Sequence, residues 1–379
     1  MTVLAAEMLS PGNIRVASFP LPEPGPGAVV LEIRCSGICG TDKHTWRGES
    51  LQYAGTPHER RAAYPLICGH ENVGVIEAIG PGDPPLDQDG RPLEVGDRVV
   101  PAPNVVCGRC YYCVGGHPYY LCEHLHDYGN SLSCGTPPYL FGGWAQRMYL
   151  LPGTRLFRVP DELPDELAAL TELLAVTNGL DRARLLAQAG SGFGFGDTVA
   201  VLGAGPLGLM HLAKAELLGA GRLLAADPVA ARRELARELG AEVAAGADEL
   251  REETGGRGPD VVVSCSGRPE TFVDAVELVR PGGVVIEAGA FVDMGPVRVD
   301  PNRHVCIKGI AILGIGGEVL EQYGPALRML ARTRGRIPFH RAITHRVGLD
   351  GIAAMLEATD AMKVLVVPNR ASDGDGEGV

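Results

Sequence analysis

The sequence predicts an α/β protein in which a doubly wound parallel sheet is joined to a second, β-rich domain. From Asp197 onward, apolar runs such as "TVAVLGAG" and "DVVVSCSG" alternate with helical patterns. This alternation is typical of a parallel sheet covered by helices. Before about residue 165, short β-rich runs are separated by Gly and Pro. The length of 379 residues suits two or three domains.

Composition and charge exclude several classes of function. Apolar residues make up 45% of the chain, charged residues 21%, and the formal net charge is −12. The negative charge argues against a surface for nucleic acid or anionic membrane, both of which need clustered Lys and Arg. The start "MTVLAAEMLSPG" lacks a basic signal-peptide region, and no apolar run reaches the roughly 18 residues of a spanning helix. We therefore expect a soluble cytoplasmic protein with neither nucleic-acid nor membrane partners.

The β-rich part contains a short loop with four closely spaced cysteines. The stretch "CGRCYYCVGGHPYYLC" places them at Cys107, Cys110, Cys113 and Cys122. Disulfides, a metal ion or spare thiols could explain the cluster. Cytosolic thiols stay reduced, which favours a metal. Four thiolates at about 2.3 Å give zinc a closed tetrahedral shell with no place for water. The spacing therefore predicts a structural zinc site.

Two further motifs of the β-rich part hold residues that can bind a second zinc ion. "GICGTDKH" contains Cys39, and "CGHENVG" contains His70. Cys39 taken alone would more often be a buried core thiol. Together with His70 and a carboxylate it forms a three-ligand set with one open position, which is the pattern of a catalytic zinc.

The parallel-sheet part begins with a dinucleotide-binding motif. Gly203, Gly205 and Gly208 in "VLGAGPLGLM" form G-x-G-x-x-G between a buried strand and a helix. Asp227 ends the next strand, where a carboxylate hydrogen-bonds the adenosine ribose and repels a 2′-phosphate. The alternative is a Gly-rich turn followed by a capping Asp. We therefore predict a Rossmann domain that binds NAD rather than NADP, although Arg232 close by could accept a phosphate.

The motifs occur together in the order seen in a known family. "GICGTDKH", "GHE", the cysteine loop, "GGWAQRMYL", "TELLAV" and "VLGAGPLGLM" resemble those of zinc-dependent medium-chain alcohol and polyol dehydrogenases, over residues 6 to 368. The resemblance implies a GroES-like, zinc-binding catalytic domain formed by residues 1–173 and completed by 313–370. It also implies a Rossmann domain at 174–312, and we expect 371–379 to be a disordered tail.

The resemblance assigns roles around the catalytic zinc. It implies that Cys39 and His70 are ligands and that Glu71 or Glu172 supplies the carboxylate. It leaves open which of these two glutamates binds the metal directly. Asp42 resembles the carboxylate that orients the His ligand and fixes its tautomer. The alternative for Asp42 is a turn residue.

The resemblance also implies a path for the substrate proton and contacts with NAD. Thr41 resembles the hydroxyl that first takes the proton. His44 resembles the end of the relay, reached through a ribose hydroxyl; otherwise it is a polar residue near the cleft. Leu207 and Arg232 match positions that contact NAD in polyol members of the family.

The function implied is hydride transfer between a secondary alcohol and NAD, interconverting the alcohol and a ketone or aldehyde. The alcohol would be polyol-like or otherwise functionalised, each chain would hold two Zn²⁺ ions, and the protein would be a homodimer or homotetramer. One alternative is a zinc-free NAD(P)H reductase of the quinone-reductase type. Another is a protein that binds NAD without catalysis.

Three departures from the family pattern bear on these expectations. Eight residues separate Cys113 from Cys122, one more than usual, so we expect a slack loop around an intact site. Leu173 stands where many members have Pro after the acidic residue. The 48–65 connection looks longer than usual and is expected to line the rim of the substrate cleft. The identity of the substrate therefore cannot be inferred from well-known members of the family.

Overall fold

A computed structural model describes residues 2–56, 59–187 and 192–370 of the chain. The expected tail at 371–379 lies outside these residues. An antiparallel hairpin comes first, followed by a seven-stranded sheet and a small two-stranded ladder. The strands of these three units are β1 (Thr2–Ser10), β2 (Asn13–Pro20), β3 (Val29–Ile38), β4 (Glu71–Ile79), β5 (Arg98–Pro101), β6 (Asn104–Val105), β7 (His126–Asp127), β8 (Arg147–Leu150), β9 (Leu156–Arg158), β16 (Ile343–Val347) and β17 (Lys363–Val366).

The long pair of β3 and β4 organises the first domain. The larger sheet has the order β16-β17-β3-β4-β5-β9, with β8 also on β3. β3 is apolar and largely buried on both faces, as in a strand at the centre of a sheet. In the antiparallel register of β3 and β4, Gly37 lies opposite Glu71. The carboxyl end of β3 and the amino end of β4 therefore lie next to each other, at one end of these two central strands.

The second domain is built on six strands that all run parallel. They are β10 (Thr198–Leu202), β11 (Arg222–Ala226), β12 (Glu242–Ala244), β13 (Val261–Ser264), β14 (Val284–Glu287) and β15 (Ala311–Gly314). Their order, β12-β11-β10-β13-β14-β15, is that of a doubly wound dinucleotide-binding sheet. The predicted α/β fold class is thus confirmed. Ligands of such sheets bind at the carboxyl ends of the strands, where the order reverses between β10 and β13.

Helices connect the strands of both domains. They are α1 (Gly40–Arg47), α2 (Tyr111–Val114), α3 (Asp165–Ala168), α4 (Thr171–Ala175), α5 (Asn178–Leu186), α6 (Pro206–Leu217), α7 (Ala230–Glu238), α8 (Ala247–Glu253), α9 (Pro269–Leu278), α10 (Tyr323–Thr333) and α11 (Ile352–Glu357). Short 3₁₀ segments cover Tyr119–Leu121, Leu320–Gln322, Phe339–Ala342 and Leu349–Gly351, and Pro301–Cys306 is π-helical. Across the described ranges, none of the helices has the length and apolar character needed to cross a bilayer.

One of the expected domain boundaries falls inside an element. Strand β15 pairs with β14 in the parallel sheet, so the boundary expected at residue 312 lies within this strand rather than after it. The chain then returns to the first domain, where β17 pairs with β3. The division at residue 173 stays a prediction, because α4 packs both on α6 and on α10 and one apolar core continues across this region.

Candidate active site and metal centres

Cys39 lies at the junction of β3 and α1, where its place is fixed by a helix cap. It is the N-cap of α1, and its backbone N–H donates to the Asp42 carboxylate at 2.8 Å. The backbone of the first turn donates in return to the Cys39 side chain, completing a capping box. The sequence "CGTD" therefore places a thiol and a buried carboxylate side by side at the end of the strand.

His70 reaches the same place from the start of β4. Gly69 before it has a φ of +95°, and a Cβ there would lie 2.5 Å from Ser36 Oγ and 2.6 Å from the Trp144 ring, so only glycine fits. His70 Nδ1 faces Asp42 Oδ1 at 3.7 Å. Both atoms are buried and have no hydrogen-bond partner among the described residues. Nδ1 is thus directed at Asp42, which leaves Nε2 for a metal.

Glu71 is close to these two residues but is already ion-paired. Ligand atoms of Cys39, His70 and Glu71 all lie within 4.8 Å of one another. Lys363 Nζ, however, lies 2.6 Å from each Glu71 carboxylate oxygen, and both side chains are almost fully buried. A Cβ at Gly37 would lie 1.8 Å from Glu71 Oε2, so glycine at that position gives the carboxylate its space.

Glu172 is a buried carboxylate in a different situation. It lies in the first turn of α4 with 6% exposure. Within the described ranges its carboxylate has neither a hydrogen bond nor an ion pair. Burial, and next the Glu318 carboxylate, raise the pKa of Glu172 well above its ordinary value. Such a group is costly to bury without a cation, and it lies outside the tight group of Cys39, His70 and Glu71.

The donor set around His70 fits a zinc ion. It offers a thiol, an imidazole and a buried carboxylate, the ligand types of catalytic zinc sites. Burial lowers the pKa of His70, but the nearby Asp42 and the Cys39 thiol more than offset this and raise the pKa well above its ordinary value. The site thus stabilises a positive charge at the His70 ring. A bound metal ion would take the place of the proton that otherwise carries this charge.

The side chains expected to carry the proton lie on one face of α1. Thr41 is 9% exposed, and its Oγ1 lies 3.8 Å from Cys39 Sγ. His44 follows three residues later, which puts it on the same side of the helix. Its Nδ1 lies 2.9 Å from Glu49 Oε2.

The four cysteines of the predicted structural site come together. Their sulfur atoms lie within 4.8 Å of one another, with 3.5 Å between Cys110 and Cys113. Backbone N–H groups of Cys107 and His124 donate to Cys122 Sγ at 3.4 Å each. Backbone donation from Cys113 is the main cause that lowers the pKa of Cys110 to about 6. Burial instead raises the pKa of Cys113 and Cys122. The convergence of four sulfur atoms is the feature that fits zinc.

The loop that closes the structural site is ordered, which corrects the expectation of a slack loop. Residues Tyr119–Leu121 form a 3₁₀ turn, and Cys122 N donates to Tyr119 O at 2.8 Å. Tyr119 is 8% exposed and packs in one apolar cluster with the cysteines, Tyr53 and Leu320. The loop between Cys113 and Cys122 therefore ends in a turn that packs towards the rest of the protein.

The dinucleotide motif has the geometry that its glycines predict. Gly203 has a φ of +99°, and a Cβ there would lie 2.9 Å from Ser266 N. Gly205 is the N-cap of α6 and faces open space. A Cβ at Gly208 would lie 2.0 Å from Gly203 O. The turn is therefore tight, open in the middle and closely packed on its strand, as pyrophosphate binding requires.

Asp227 lies beside this turn, directly after β11. Its Oδ2 accepts from Ala204 N at 2.9 Å, and its Oδ1 accepts from Val229 N at 2.8 Å. Arg232 Nη1 lies 3.6 Å from Oδ2. Leu207, in the first turn of α6, is partly buried against the core. The predicted cofactor residues are thus gathered at the carboxyl ends of β10 and β11.

The 48–65 connection crosses to the cofactor domain. Asp293 N donates to Leu51 O at 3.1 Å, and Gln52 forms a bridge with Val292. Tyr53 meets Phe291 edge to face at 5.3 Å. Residues 57 and 58 of the loop lie outside the described residues.

Polar side chains that the sequence did not single out lie close to the site. Glu318 is 3% exposed and accepts from Asn104 Nδ2 at 2.9 Å and from the Tyr323 hydroxyl at 3.3 Å. In the same region, Arg60 is ion-paired with the buried Asp127. Burial raises the pKa of both Asp127 and Glu318, and the charge of His70 is one of the smaller influences that oppose this rise. The surroundings of the site are therefore polar.

Comparison with known proteins agrees with this geometry. The family model "Alcohol dehydrogenase GroES-like domain" matches residues 25–161, and "Zinc-binding dehydrogenase" matches residues 206–332. The L-threonine 3-dehydrogenase of Pyrococcus horikoshii is 32% identical over 90% of this chain and 91% of its own length. The chain belongs to the zinc-dependent medium-chain alcohol dehydrogenase family.

Other members of the family show how far its substrates and cofactors vary. The 5-exo-hydroxycamphor dehydrogenase of Pseudomonas putida is 32% identical over 94% of this chain and 95% of its own length. A solved structure described as a zinc-binding dehydrogenase from Sinorhizobium meliloti 1021 bound to NADP is 28% identical, with a TM-score of 0.79 over 97% of this chain and 100% of that chain. The medium-chain dehydrogenase fold and a zinc-dependent alcohol oxidoreductase activity are thus shown for this chain.

Proposed function

We propose that this protein is an NAD-dependent dehydrogenase of secondary alcohols that carry further polar groups. The observation that carries the proposal is the convergence of Cys39 and His70 beside the Thr41 hydroxyl. The buried Glu172 carboxylate lies outside this tight group but close enough for both residues to influence its pKa. Cys39, His70 and Glu172 would hold the catalytic zinc. Glu71 would be a second carboxylate close to the metal, held in place by its ion pair with Lys363. Asp42 would fix the His70 ring.

Each bound group supplies one part of the chemistry. Zinc, when bound, supplies a Lewis acid that lowers the pKa of a hydroxyl, and NAD supplies the hydride acceptor. The protein's own residues bind and orient the alcohol and carry its proton. Thr41 accepts the proton at Oγ1 and donates its own proton outward. His44, which lies on the same face of α1, receives the proton at the end of the relay. The glycine turn at 203–208 holds the pyrophosphate on the N-terminus of α6.

Two observations support the finer choice of cofactor and substrate. Asp227 places a carboxylate beside the glycine turn, where it would bind ribose hydroxyls and repel a 2′-phosphate. This supports NAD over NADP, with Arg232 as the opposing charge. The buried polar groups near the site, Glu318 and Asp127 among them, make its surroundings polar, which supports an alcohol with further hydroxyl or similar polar groups.

We also infer that the protein forms a homodimer or homotetramer. The edge strand β15 exposes Ile312, and the exposed Ile307 precedes it. Exposed apolar groups along an unpaired strand edge support a contact between subunits there. Light scattering on the purified protein is expected to give two or four chains.

The experiment that tests the proposal combines metal analysis with an alcohol panel. We expect about two zinc ions per chain, and NADH formation with secondary alcohols, cyclitols or hydroxy acids, assayed with NAD and NADP in parallel. Cys39→Ser and His70→Ala should lose one zinc and all turnover while still binding NAD. Cys306→Ser and His345→Ala are matched controls, because Cys306 is exposed, His345 is partly exposed, and both lie outside the two ligand groups.

Other outcomes would favour the other candidate functions. A protein without zinc that reduces quinones with NAD(P)H would support the quinone-reductase type. NAD binding without turnover of any alcohol would support a binding protein. Full activity of Cys39→Ser or His70→Ala would refute the proposed site.

A further inference from the structure

The His44 imidazole has a carboxylate partner that belongs to the turn ending its own helix. Helix α1 ends at Arg47, and Gly48 follows with a φ of 80° in the left-handed region. The Gly48 amide bonds to the last carbonyls of the helix, and Glu49 N donates to His44 O at 2.9 Å. This reversal carries the Glu49 side chain back over the helix, where Oε2 lies 2.9 Å from His44 Nδ1.

Glu49 is held from its other side as well. Two residues later, Leu51 O accepts from Asp293 N at 3.1 Å. Gln52 and Arg60 then exchange two backbone hydrogen bonds, at 2.9 and 3.2 Å. The residue is therefore fixed between a helix cap and a contact with the cofactor domain, and its position depends on neither side chain of the pair.

The contact determines which nitrogen of His44 can accept a proton. An ionised carboxylate only accepts hydrogen bonds, so a neutral imidazole beside it must carry its proton on Nδ1. Nε2 then keeps its lone pair. A proton arriving at Nε2 gives an imidazolium whose charge faces the Glu49 carboxylate. The same Nε2 proton can then pass to water, which restores the neutral ring without any change at Nδ1.

We propose that Glu49 is a positioning residue for proton release: it holds His44 in the Nδ1–H tautomer with Nε2 ready to accept the substrate proton. The inference rests on the proposed function, in which His44 receives that proton. The His44 side chain is partly buried, with 23% exposure, and the Glu49 side chain is exposed, with 41%. A carboxylate orienting a functional imidazole through its second nitrogen recurs in enzymes, and its loss lowers activity by about 10- to 100-fold at metal-binding histidines.

The kinetic test uses the zinc-loaded protein with NAD and the best alcohol of the panel. Glu49→Gln keeps the size of the side chain and removes its charge, and Glu49→Ala removes the partner entirely. We expect kcat to fall about tenfold in both variants, with KM for NAD and for the alcohol changed less than about twofold. The kcat of His44→Ala should fall at least as far. Glu94→Gln changes an exposed glutamate in the connection between β4 and β5 and is the matched control.

The spectroscopic test reads the tautomer directly. Nitrogen-15 NMR of histidine-labelled protein is recorded at a pH where the ring is neutral, with the His44 signals assigned by their loss in His44→Ala. It should show the ring proton on Nδ1. In Glu49→Ala the ring should be a mixture of tautomers. A purely structural role of Glu49 would leave the tautomer unchanged.

The outcomes separate this inference from the proposed function. If His44→Ala lowers kcat while both Glu49 variants keep wild-type kcat, the positioning role is overturned and the proposed function stands. An unchanged tautomer in Glu49→Ala also overturns the positioning role. If the wild-type protein oxidises alcohols and His44→Ala is fully active, the relay is wrong and the inference falls with it. A wild-type protein that oxidises no alcohol would refute the proposed function, and the inference that rests on it would fall too.

Discussion

The buried ion pair behind the metal site leads to the sharpest prediction on stability. Lys363 is 2% exposed, and its Nζ lies 2.6 Å from both Glu71 oxygens and 3.2 Å from Ile38 O. The change is Lys363→Met, which keeps most of the apolar length of the side chain and removes the ammonium. The fully buried Glu71 carboxylate then loses the cation that compensates it.

The expected cost follows from this burial. Removing one partner of a buried ion pair destabilises a protein by about 3–5 kcal/mol, because the remaining charge stays buried without compensation. In the double variant Lys363→Met/Glu71→Gln both charges are gone, and we expect at least about 2 kcal/mol of the loss to be recovered. Arg237→Met is the control, because its pair with Glu234 is exposed and should contribute less than about 0.5 kcal/mol.

Urea unfolding of the zinc-loaded protein, followed by tryptophan fluorescence, measures these changes. The chain has two tryptophans. Trp144 lies in the core of the first domain, which contains the ion pair, and the partly buried Trp46 packs against that core. A loss below about 1 kcal/mol in Lys363→Met would contradict the reasoning. A double variant that is no more stable than Lys363→Met would also contradict the reasoning. It would mean that the Glu71 carboxylate is not an uncompensated charge in the single variant.

Two further changes test the cofactor domain. Gly208→Ala would place a Cβ 2.0 Å from Gly203 O; we expect the resulting strain to weaken NAD binding by about tenfold in calorimetry, while Gly246→Ala, whose Cβ would meet open space, binds NAD normally. Complete burial lowers the pKa of His211 to about 4, below an unfolded value of about 6.5. The stabilisation from its neutral form is therefore full above pH 6.5 and is lost as pH falls towards 4, by about 2 kcal/mol at pH 5. His211→Gln should remove this part of the pH dependence in urea unfolding followed by circular dichroism, and equal pH slopes for the two proteins would refute it.

The parts of the site that the sequence predicted are those set by local backbone demands. The turn of Gly203 and Gly208 could be predicted because its φ and its close packing exclude other residues. The cluster of four cysteines followed from spacing within one loop. The meeting of Cys39 and His70 was expected from their residue types, and the register that places Gly37 opposite Glu71 gives it a physical cause.

The parts that the sequence did not predict depend on distant segments. Lys363 lies 292 residues from Glu71, and only the pairing of β17 with β3 brings them together. A lone lysine in the apolar run "AMKVLVV" was the signal that could have drawn attention to it, since a buried lysine needs a partner. Glu318 likewise reaches the site through the return of the chain after β15. The roles of Thr41, His44 and Glu172 stay predictions.

The contact of the 48–65 loop with Val292 and Asp293 has a consequence for how this enzyme can change. The loop follows directly after the helix that carries Thr41 and His44, and it also forms backbone hydrogen bonds with the cofactor domain. A substitution that reshapes the loop for a new alcohol therefore also alters the strength with which the two halves of the molecule hold together. We therefore expect substrate selectivity and the rate at which the two domains separate to be coupled. Laboratory evolution that changes one of these properties should also change the other.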